Sequence, residues 1–158
     1  MKKMYPMLWF DDQAQEAANN YVSIFPHSKV GPITRYGPAG PGTEGTVMTV
    51  DFQLDGQQFV ALNGGPEFRF TEAISLVVPC ESQAEVDEMW EKLVDGGEPA
   101  PCGWLKDRFG LSWQVVPTVL MEMLSDRDSA KAQRVNEAML KVFGKFEIAE
   151  LQAAYDGS

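Results

Sequence analysis

The sequence predicts an α+β protein made of two copies of a strand–helix–strands unit, followed by a helical tail. Three observations carry that prediction. Apolar residues switch repeatedly between strict alternation, which marks a half-buried strand, and the i, i+3, i+4 stripe of a helix face. The same order of elements occurs twice, over residues 3–64 and again over 73–117. The two helices also share a short signature, Glu16-Ala17 with Tyr21 in the first and Glu85-Val86 with Trp90 in the second. Each has Gln-Ala just upstream, at Gln13-Ala14 and Gln83-Ala84. Repetition of order and signature together points to an internal duplication. Residues 118–158 form a tail without a counterpart in the first unit, and residues 1–158 read as one domain.

In the first unit, Met4 to Phe10 reads as a buried strand. Asp12, with Gln15 three residues on, has the pattern of a capping box. Ala14, Ala17, Ala18, Tyr21, Val22 and Phe25 then lie on one helix face, and Pro26 ends the helix. Lys29 to Tyr36 is extended. Six of the nine residues from Gly37 to Gly45 are Gly or Pro, so a mobile loop is expected there. Met48, Val50, Phe52 and Leu54 alternate along the next strand, and Asp55-Gly56 is a type I′ hairpin signal leading into Gln57 to Asn63. Gly64-Gly65-Pro66 breaks that strand.

The second unit opens with an apolar strand from Ala73 to Val78. Ser82 and Glu85 form a capping box, and Val86, Met89, Trp90, Leu93 and Val94 make a helical stripe that Gly96-Gly97 stops. Cys102 to Lys106 and Leu111 to Val116 read as strands joined by a turn at Asp107-Arg108-Phe109-Gly110, and the Lys106-Asp107-Arg108 cluster reads as a solvated turn. In the tail, Asp126 or Asp128 caps a helix with Ala130, Val135, Ala138, Met139 and Val142 inward. A last short helix carries Ile148, Leu151 and Tyr155 on one face.

Bulk composition narrows the partners. The 158 residues are 44% apolar, enough for a sizeable core without disulfides or metals. The net charge of −10 disfavours nucleic acid and anionic membrane surfaces. No apolar run approaches the roughly 18 residues of a membrane span, and the N-terminus turns acidic at Asp11-Asp12 too soon for a secretion signal. A cytoplasmic protein with Cys80 and Cys102 reduced is therefore expected.

Several runs resemble a known family. They are Leu8-Trp9-Phe10 before the Glu16-Ala17 helix, Phe25-Pro26 with Ser28-Lys29-Val30, and Asn63-Gly64-Gly65-Pro66 with Phe68 and Phe70. To these add Glu85-Val86-Asp87 with Trp90, and the unbroken run from Cys102 to Gln114. Together they resemble the PhnB-like branch of the vicinal-oxygen-chelate (glyoxalase/bleomycin-resistance) superfamily, often labelled "3-demethylubiquinone-9 3-methyltransferase". The resemblance covers nearly the whole chain, tail included. It implies two βαβββ units forming a curved mixed sheet around a cup, with helices outside.

In metal-using members of that superfamily, His and Glu ligands come from the first and last strands of each unit. The resemblance places those positions on Tyr5 or Pro6, on Ala73, and on Gln114, so it implies no metal at the superfamily site and no cofactor. The chain's one histidine, His27, follows Pro26 in a turn and reads as exposed. Alternation puts Met7, Trp9, Ser75, Ser112 and Gln114 on the cup side, with Leu8, Phe10, Trp113 and Val115 under the helices. Asn63, Phe68, Phe70 and Trp104 fall at the rim. The candidate ligand-binding set is therefore Met7, Trp9, Asn63, Ser75, Trp104, Ser112 and Gln114. The aromatics can equally fill the core or a subunit interface. Cys102, with Lys106 nearby, is either a nucleophile or inert packing.

Two kinds of function stay open. One is a protein, expected to be a homodimer, that binds a small, partly apolar organic molecule without a metal. The other is a metal-independent enzyme of transferase or lyase type, the ubiquinone-related methyltransferase label included, with Asp51 as a possible general base. A purely structural interaction module is a third reading. No glycine cluster follows a strand and opens a helix, the arrangement by which typical methyltransferases hold S-adenosylmethionine.

Overall fold

The computed structural model describes residues 2–158. The chain divides into two compact units, Met1–Phe70 and Thr71–Ser158. In the first unit, β1 (Met7–Phe10), α1 (Ala14–Ile24), β2 (Lys29–Arg35), β3 (Val47–Leu54) and β4 (Gln57–Asn63) form one four-stranded sheet in the order β1-β4-β3-β2 with a helix on it. The second unit repeats this with β5 (Ser75–Cys80), α2 (Gln83–Val94), β6 (Glu98–Pro99), β7 (Trp104–Lys106) and β8 (Ser112–Pro117), in the order β5-β8-β7-β6. The helices α3 (Thr118–Leu124), α4 (Ser129–Lys141) and α5 (Ile148–Asp156) follow.

In both sheets the first strand runs parallel to the last, and the remaining pairs are antiparallel. The parallel pair must be joined by a crossover, and the helix with two further strands supplies it. The duplication expected from the sequence is thus present as equal topology.

Each unit buries the face of its sheet that its helix covers. In the first, Leu8, Phe10, Val50, Phe52, Phe59 and Ala61 pack with Ala17 and Tyr21 of α1. In the second, Val78, Cys80, Leu105, Trp113 and Val115 pack with Val86, Trp90 and Leu93 of α2. Burial of Cys80 pushes its thiol up to about 11, which keeps it protonated and unreactive at neutral pH.

The two helices start differently. The Ser82 hydroxyl accepts from Glu85 N at 3.2 Å, and the Glu85 carboxylate accepts from Glu81 N at 2.7 Å. Thus α2 has the cap its sequence announces. The capping box expected at Asp12 does not form: Gln13 is the N-cap and caps with no side-chain hydrogen bond. Instead Asn63 Oδ1, at the far end of the sheet in sequence, accepts from Ala14 N at 2.8 Å. In the tail, Asp128 rather than Asp126 caps α4, accepting from Ala130 N and Lys131 N.

In the connection from β7 to β8, Arg108 is exposed but Asp107 is not solvated. Asp107 is only 4% exposed. Its carboxylate accepts from Phe109 N at 2.9 Å, Leu111 N at 3.0 Å and the Trp113 indole at 2.8 Å. A buried charge is tolerable because these donors replace its water.

The Gly37–Gly45 segment has a packing role. The Tyr36 ring lies against it so closely that a Cβ on Gly42 would sit 2.4 Å from the ring, and one on Gly40 2.7 Å. Gly45 N donates to Tyr36 O, and Tyr36 N to Thr46 O, which ties both ends of the loop.

The tail docks on the second unit through a small core of Leu120, Met123, Val135, Phe146 and Leu151. Phe146 lies over Gly103, where an added Cβ would be 2.4 Å from the ring. Gln83 of α2 donates to Phe146 O and accepts from Ile148 N, and Lys145 pairs with Asp87 and Glu147. Among the described residues, no helix is long and apolar enough to cross a membrane.

Candidate functional site: the sheet faces opposite the helices

In the second unit, alternation sends Ser75, Val77, Trp104, Lys106, Ser112 and Gln114 to the face turned away from α2. Strand register then sets the neighbours. Gln114 lies between Val77 on β5 and Trp104 on β7, while Ser112 lies between Ser75 and Lys106. The Gln114 amide donates through Nε2 to Ser75 Oγ at 2.9 Å, and both side chains are half-buried. Val77 is 56% exposed beside them. Ser112 differs from its neighbours. It is 1% exposed, and its hydroxyl has no hydrogen-bond partner among the described residues.

Lys106 forms an ion pair with Glu72. The hydrogen bond from Lys106 holds the Glu72 carboxyl below its ordinary range and raises the ammonium in return. Cys102, which the sequence left between nucleophile and packing, sits in a tight turn at φ 59° with Gly103 at φ 77°. Its thiol lies 3.4 Å from Met139 O, to which it donates.

In the first unit, Met7 and Trp9 occupy the face turned away from α1, in register with Val60 and Leu62 of β4. The Trp9 indole donates to Gly65 O at 2.9 Å and meets the Phe68 ring edge-on at 5.0 Å. Its ring lies over Gly64, where a Cβ would approach to 2.3 Å. Gly64 is therefore required by the tryptophan, which offers a ring but no free N–H, while Gly65 is a glycine for its φ of 94°. Asp51 of β3 is on the same face as Trp9, between buried Val50 and Phe52 on the other.

Asn63 does not join Met7 and Trp9. It is in register with Phe10 on the helix side, where its Oδ1 serves Ala14 N and its Nδ2 donates to Val47 O at 3.1 Å. The Tyr36 hydroxyl donates to the Asn63 carbonyl. Around Tyr36, Asn63 and Thr43 the first unit has a cavity of about 440 Å³ flanked by Asp11 and Asp12. Sequence reasoning missed it because the loop over Tyr36 read as unstructured.

Taken unit by unit, the residues at the positions where the resemblance implies the superfamily's metal ligands do not fit a divalent metal. Ala73 has no donor, and Gln114 brings a neutral amide already bonded to Ser75. The corresponding place in the first unit falls on Tyr5 or Pro6, of which only the phenol could contribute. Among the described residues, no three His, Cys, Asp or Glu side chains cluster as a metal site would require.

The family of 3-demethylubiquinone-9 3-methyltransferase matches residues 2–116. The chain belongs to that family. A putative 3-demethylubiquinone-9 3-methyltransferase, PhnB protein, from Bacillus cereus is 38% identical, with a TM-score of 0.67 over 74% of this chain and 100% of that one. Protein PA1353 from Pseudomonas aeruginosa has the same fold at 19% identity, with a TM-score of 0.61 over 74% and 98% of the two chains. The fosfomycin resistance protein FosX from Listeria monocytogenes shares it at 16% identity, with a TM-score of 0.52 over 77% and 97%. No curated protein matches.

The chain is thus a PhnB-like member of the vicinal-oxygen-chelate superfamily, with that superfamily's α+β fold. The family match ends at Val116, so α3, α4 and α5 lie outside it. This corrects the expectation that the resemblance takes in the tail.

Proposed function

We propose that the protein binds a small, partly apolar organic molecule on the sheet faces turned away from the helices, without the superfamily's divalent metal. The observation that carries this reading is the Gln114–Ser75 hydrogen bond at 2.9 Å, formed at a position where the resemblance to the superfamily implies a glutamate ligand in metal-using members. The amide is oriented by Ser75 and flanked by Val77 and Trp104. Its oxygen and second N–H suit a ligand that pairs one planar polar group with an apolar body. Met7 and the Trp9 ring supply apolar surface of the same kind in the first unit.

Mass spectrometry under native conditions tests the reading. The expected result is a bound small molecule on protein purified without denaturant, lost in Gln114→Leu while the fold is retained. Absence of any bound mass, together with no thermal shift from a library of small aromatic acids and amides, would count against it.

A metal-independent transferase or lyase is the second reading, and Asp51 is the observation in its favour. It is a half-buried carboxylate on the face away from α1 and could act as a general base. This reading requires that Asp51→Asn abolish turnover of an identified ligand and leave its binding intact. The methyl-transfer label has less support. Gly64-Gly65 follows β4 but opens no helix, and each sheet is mixed rather than parallel.

A homodimer fits the exposed apolar side chains Tyr5, Met7 and Phe68 of the first unit and Ile74 and Val77 of the second. Light scattering at micromolar concentration is expected to give twice the 17.5 kDa of one chain, and a 17.5 kDa particle would refute it.

A further inference from the structure

Asn63 is the one asparagine of the chain that precedes a glycine, and both residues of the pair have a structural reason. An aspartate at 63 would keep the acceptor that serves Ala14 N and lose the Nδ2 donor that serves Val47 O. Gly64 lies against the Trp9 ring, where a Cβ would come within 2.3 Å. The fold therefore imposes an Asn-Gly step, in which a backbone nitrogen without a neighbouring Cβ reaches a side-chain amide with the least hindrance.

The chemistry latent in that step is cyclisation. Gly64 N loses its proton to solvent base and bonds to Asn63 Cγ. The Cγ–Nδ2 bond breaks, and ammonia leaves with a proton from water. Water then opens the cyclic imide. Cleavage between Cγ and the nitrogen gives aspartate. Cleavage between the Asn63 carbonyl carbon and the nitrogen gives isoaspartate, whose Cβ becomes part of the main chain.

In the folded protein the groups that must move are held. Gly64 N donates to Phe10 O at 2.9 Å, so its proton is engaged by β1. Asn63 Oδ1 accepts from Ala14 N at 2.8 Å and Nδ2 donates to Val47 O at 3.1 Å, which ties the amide to α1 and β3. The cavity of about 440 Å³ beside Asn63 and Gly64 has room for water, but Asp11 and Asp12 line it too. Their charge opposes both the approach of hydroxide and an anion at Gly64 N.

We propose that Asn63-Gly64 is a succinimide-forming modification site that the folded first unit holds shut and that reacts only when the end of β4 separates from β1, α1 and β3. Isoaspartate there lengthens the backbone between Asn63 and Gly64, so the Gly64 N–Phe10 O bond and the α1 cap cannot both form again. A chain that stays open is modified faster than it refolds, and unfolding of the first unit becomes irreversible. The inference is independent of the ligand reading above.

Peptide mapping of the full chain, kept at mildly alkaline pH either folded or unfolded in urea, tests this. Aspartate and isoaspartate at residue 63 are expected to form about a hundredfold more slowly in the folded protein, because only the small open fraction reacts. The folded rate should track amide exchange at Gly64 N–H. Refolding yield should fall with time in urea in step with isoaspartate at residue 63. Asn63→Ser, with no side-chain amide to cyclise, should keep the yield it starts with, and if that variant fails to fold the rate ratio in the native sequence still decides.

Equal rates in the folded and unfolded chain overturn the proposal. So does an Asn63 that stays intact in urea, or a refolding yield that does not change as isoaspartate accumulates there.

Discussion

The two units have the same strand order and the same parallel pair, yet they make their critical connections in different ways. In the first, β3 and β4 are joined by Asp55 and Gly56, with φ of 47° and 80°, in an exposed two-residue turn. In the second, β7 and β8 are joined through a buried carboxylate, Asp107, that gathers two backbone amides and an indole. The helix starts are reversed in kind. The cap of α2 is local, at Ser82, and that of α1 comes from Asn63 across 49 residues. A shared topology thus constrains the apolar pattern and leaves the polar anchoring free to diverge. The candidate site residues diverge likewise, with Met7 and Trp9 on β1 and Ser75 and Gln114 on β5 and β8.

The largest contrast is expected at the two aspartates. Asp107→Ala strips three donors of their acceptor in a buried place and should cost about 3 kcal/mol or more in urea unfolding. Asp55→Ala, at an exposed turn with positive φ, should cost about 1 kcal/mol. Similar losses at the two positions would refute the distinction.

The close-packed glycines come next. Gly64→Ala drives a Cβ into the Trp9 ring and Gly103→Ala drives one into Phe146, where φ is also 77°. Each is expected to destabilise by about 2 kcal/mol. Their reporters differ. Gly64→Ala should alter the near-ultraviolet signal of Trp9, and Gly103→Ala should loosen the tail, seen as faster amide exchange in α5.

The caps test the local and the remote solution against each other. Ser82→Ala should cost about 1 kcal/mol, as ordinary N-caps do. Asn63→Ala should cost about 2 kcal/mol, because it leaves both Ala14 N and Val47 O without their partner. Equal losses would mean that the remote cap is worth no more than the local one.

How much of this was legible follows from range. The strand faces were readable because alternation is local: Val50, Phe52 and Leu54 are buried on β3, and Trp113 and Val115 on β8. The Ser82 cap and the Asp55-Gly56 hairpin were readable because their partners lie within a few residues. The Asn63 cap was not, since nothing near Asp12 signals an acceptor 49 residues away. Asp107 read as solvated because turn aspartates usually are, and its burial depends on Trp113 folding back over it. The shared face of Ser75, Ser112 and Gln114 was legible from alternation. The bond between Ser75 and Gln114 was not, nor the unpaired state of Ser112, because both depend on strand register. The short strand β6 was missed in the stretch from Gly96 to Pro101, where two prolines and two glycines hide an edge strand.

The smallest expected effect separates the units by pH. Glu72, Asp87 and Asp126 are held below their ordinary values, chiefly by hydrogen bonds from Lys106, Lys145 and Tyr155, and all three lie in the second unit. A carboxyl with a lowered folded pKa contributes stability that is present above its ordinary value and is lost as pH falls through the lowered one. Acidification below pH 4 or so should therefore loosen the second unit first, measured as amide exchange in α2 and α5. Earlier loosening of α1 would contradict this.

The central claim is that Gln114 and Ser75 form a polar ligand-binding pair in place of a metal centre. Titration calorimetry with Ni²⁺, Zn²⁺ and Mn²⁺ on chelator-stripped protein tests it most directly. The account predicts no micromolar binding by the native chain, and new binding in Ala73→His combined with Gln114→Glu. Micromolar binding by the native protein that disappears in Gln114→Ala would contradict it.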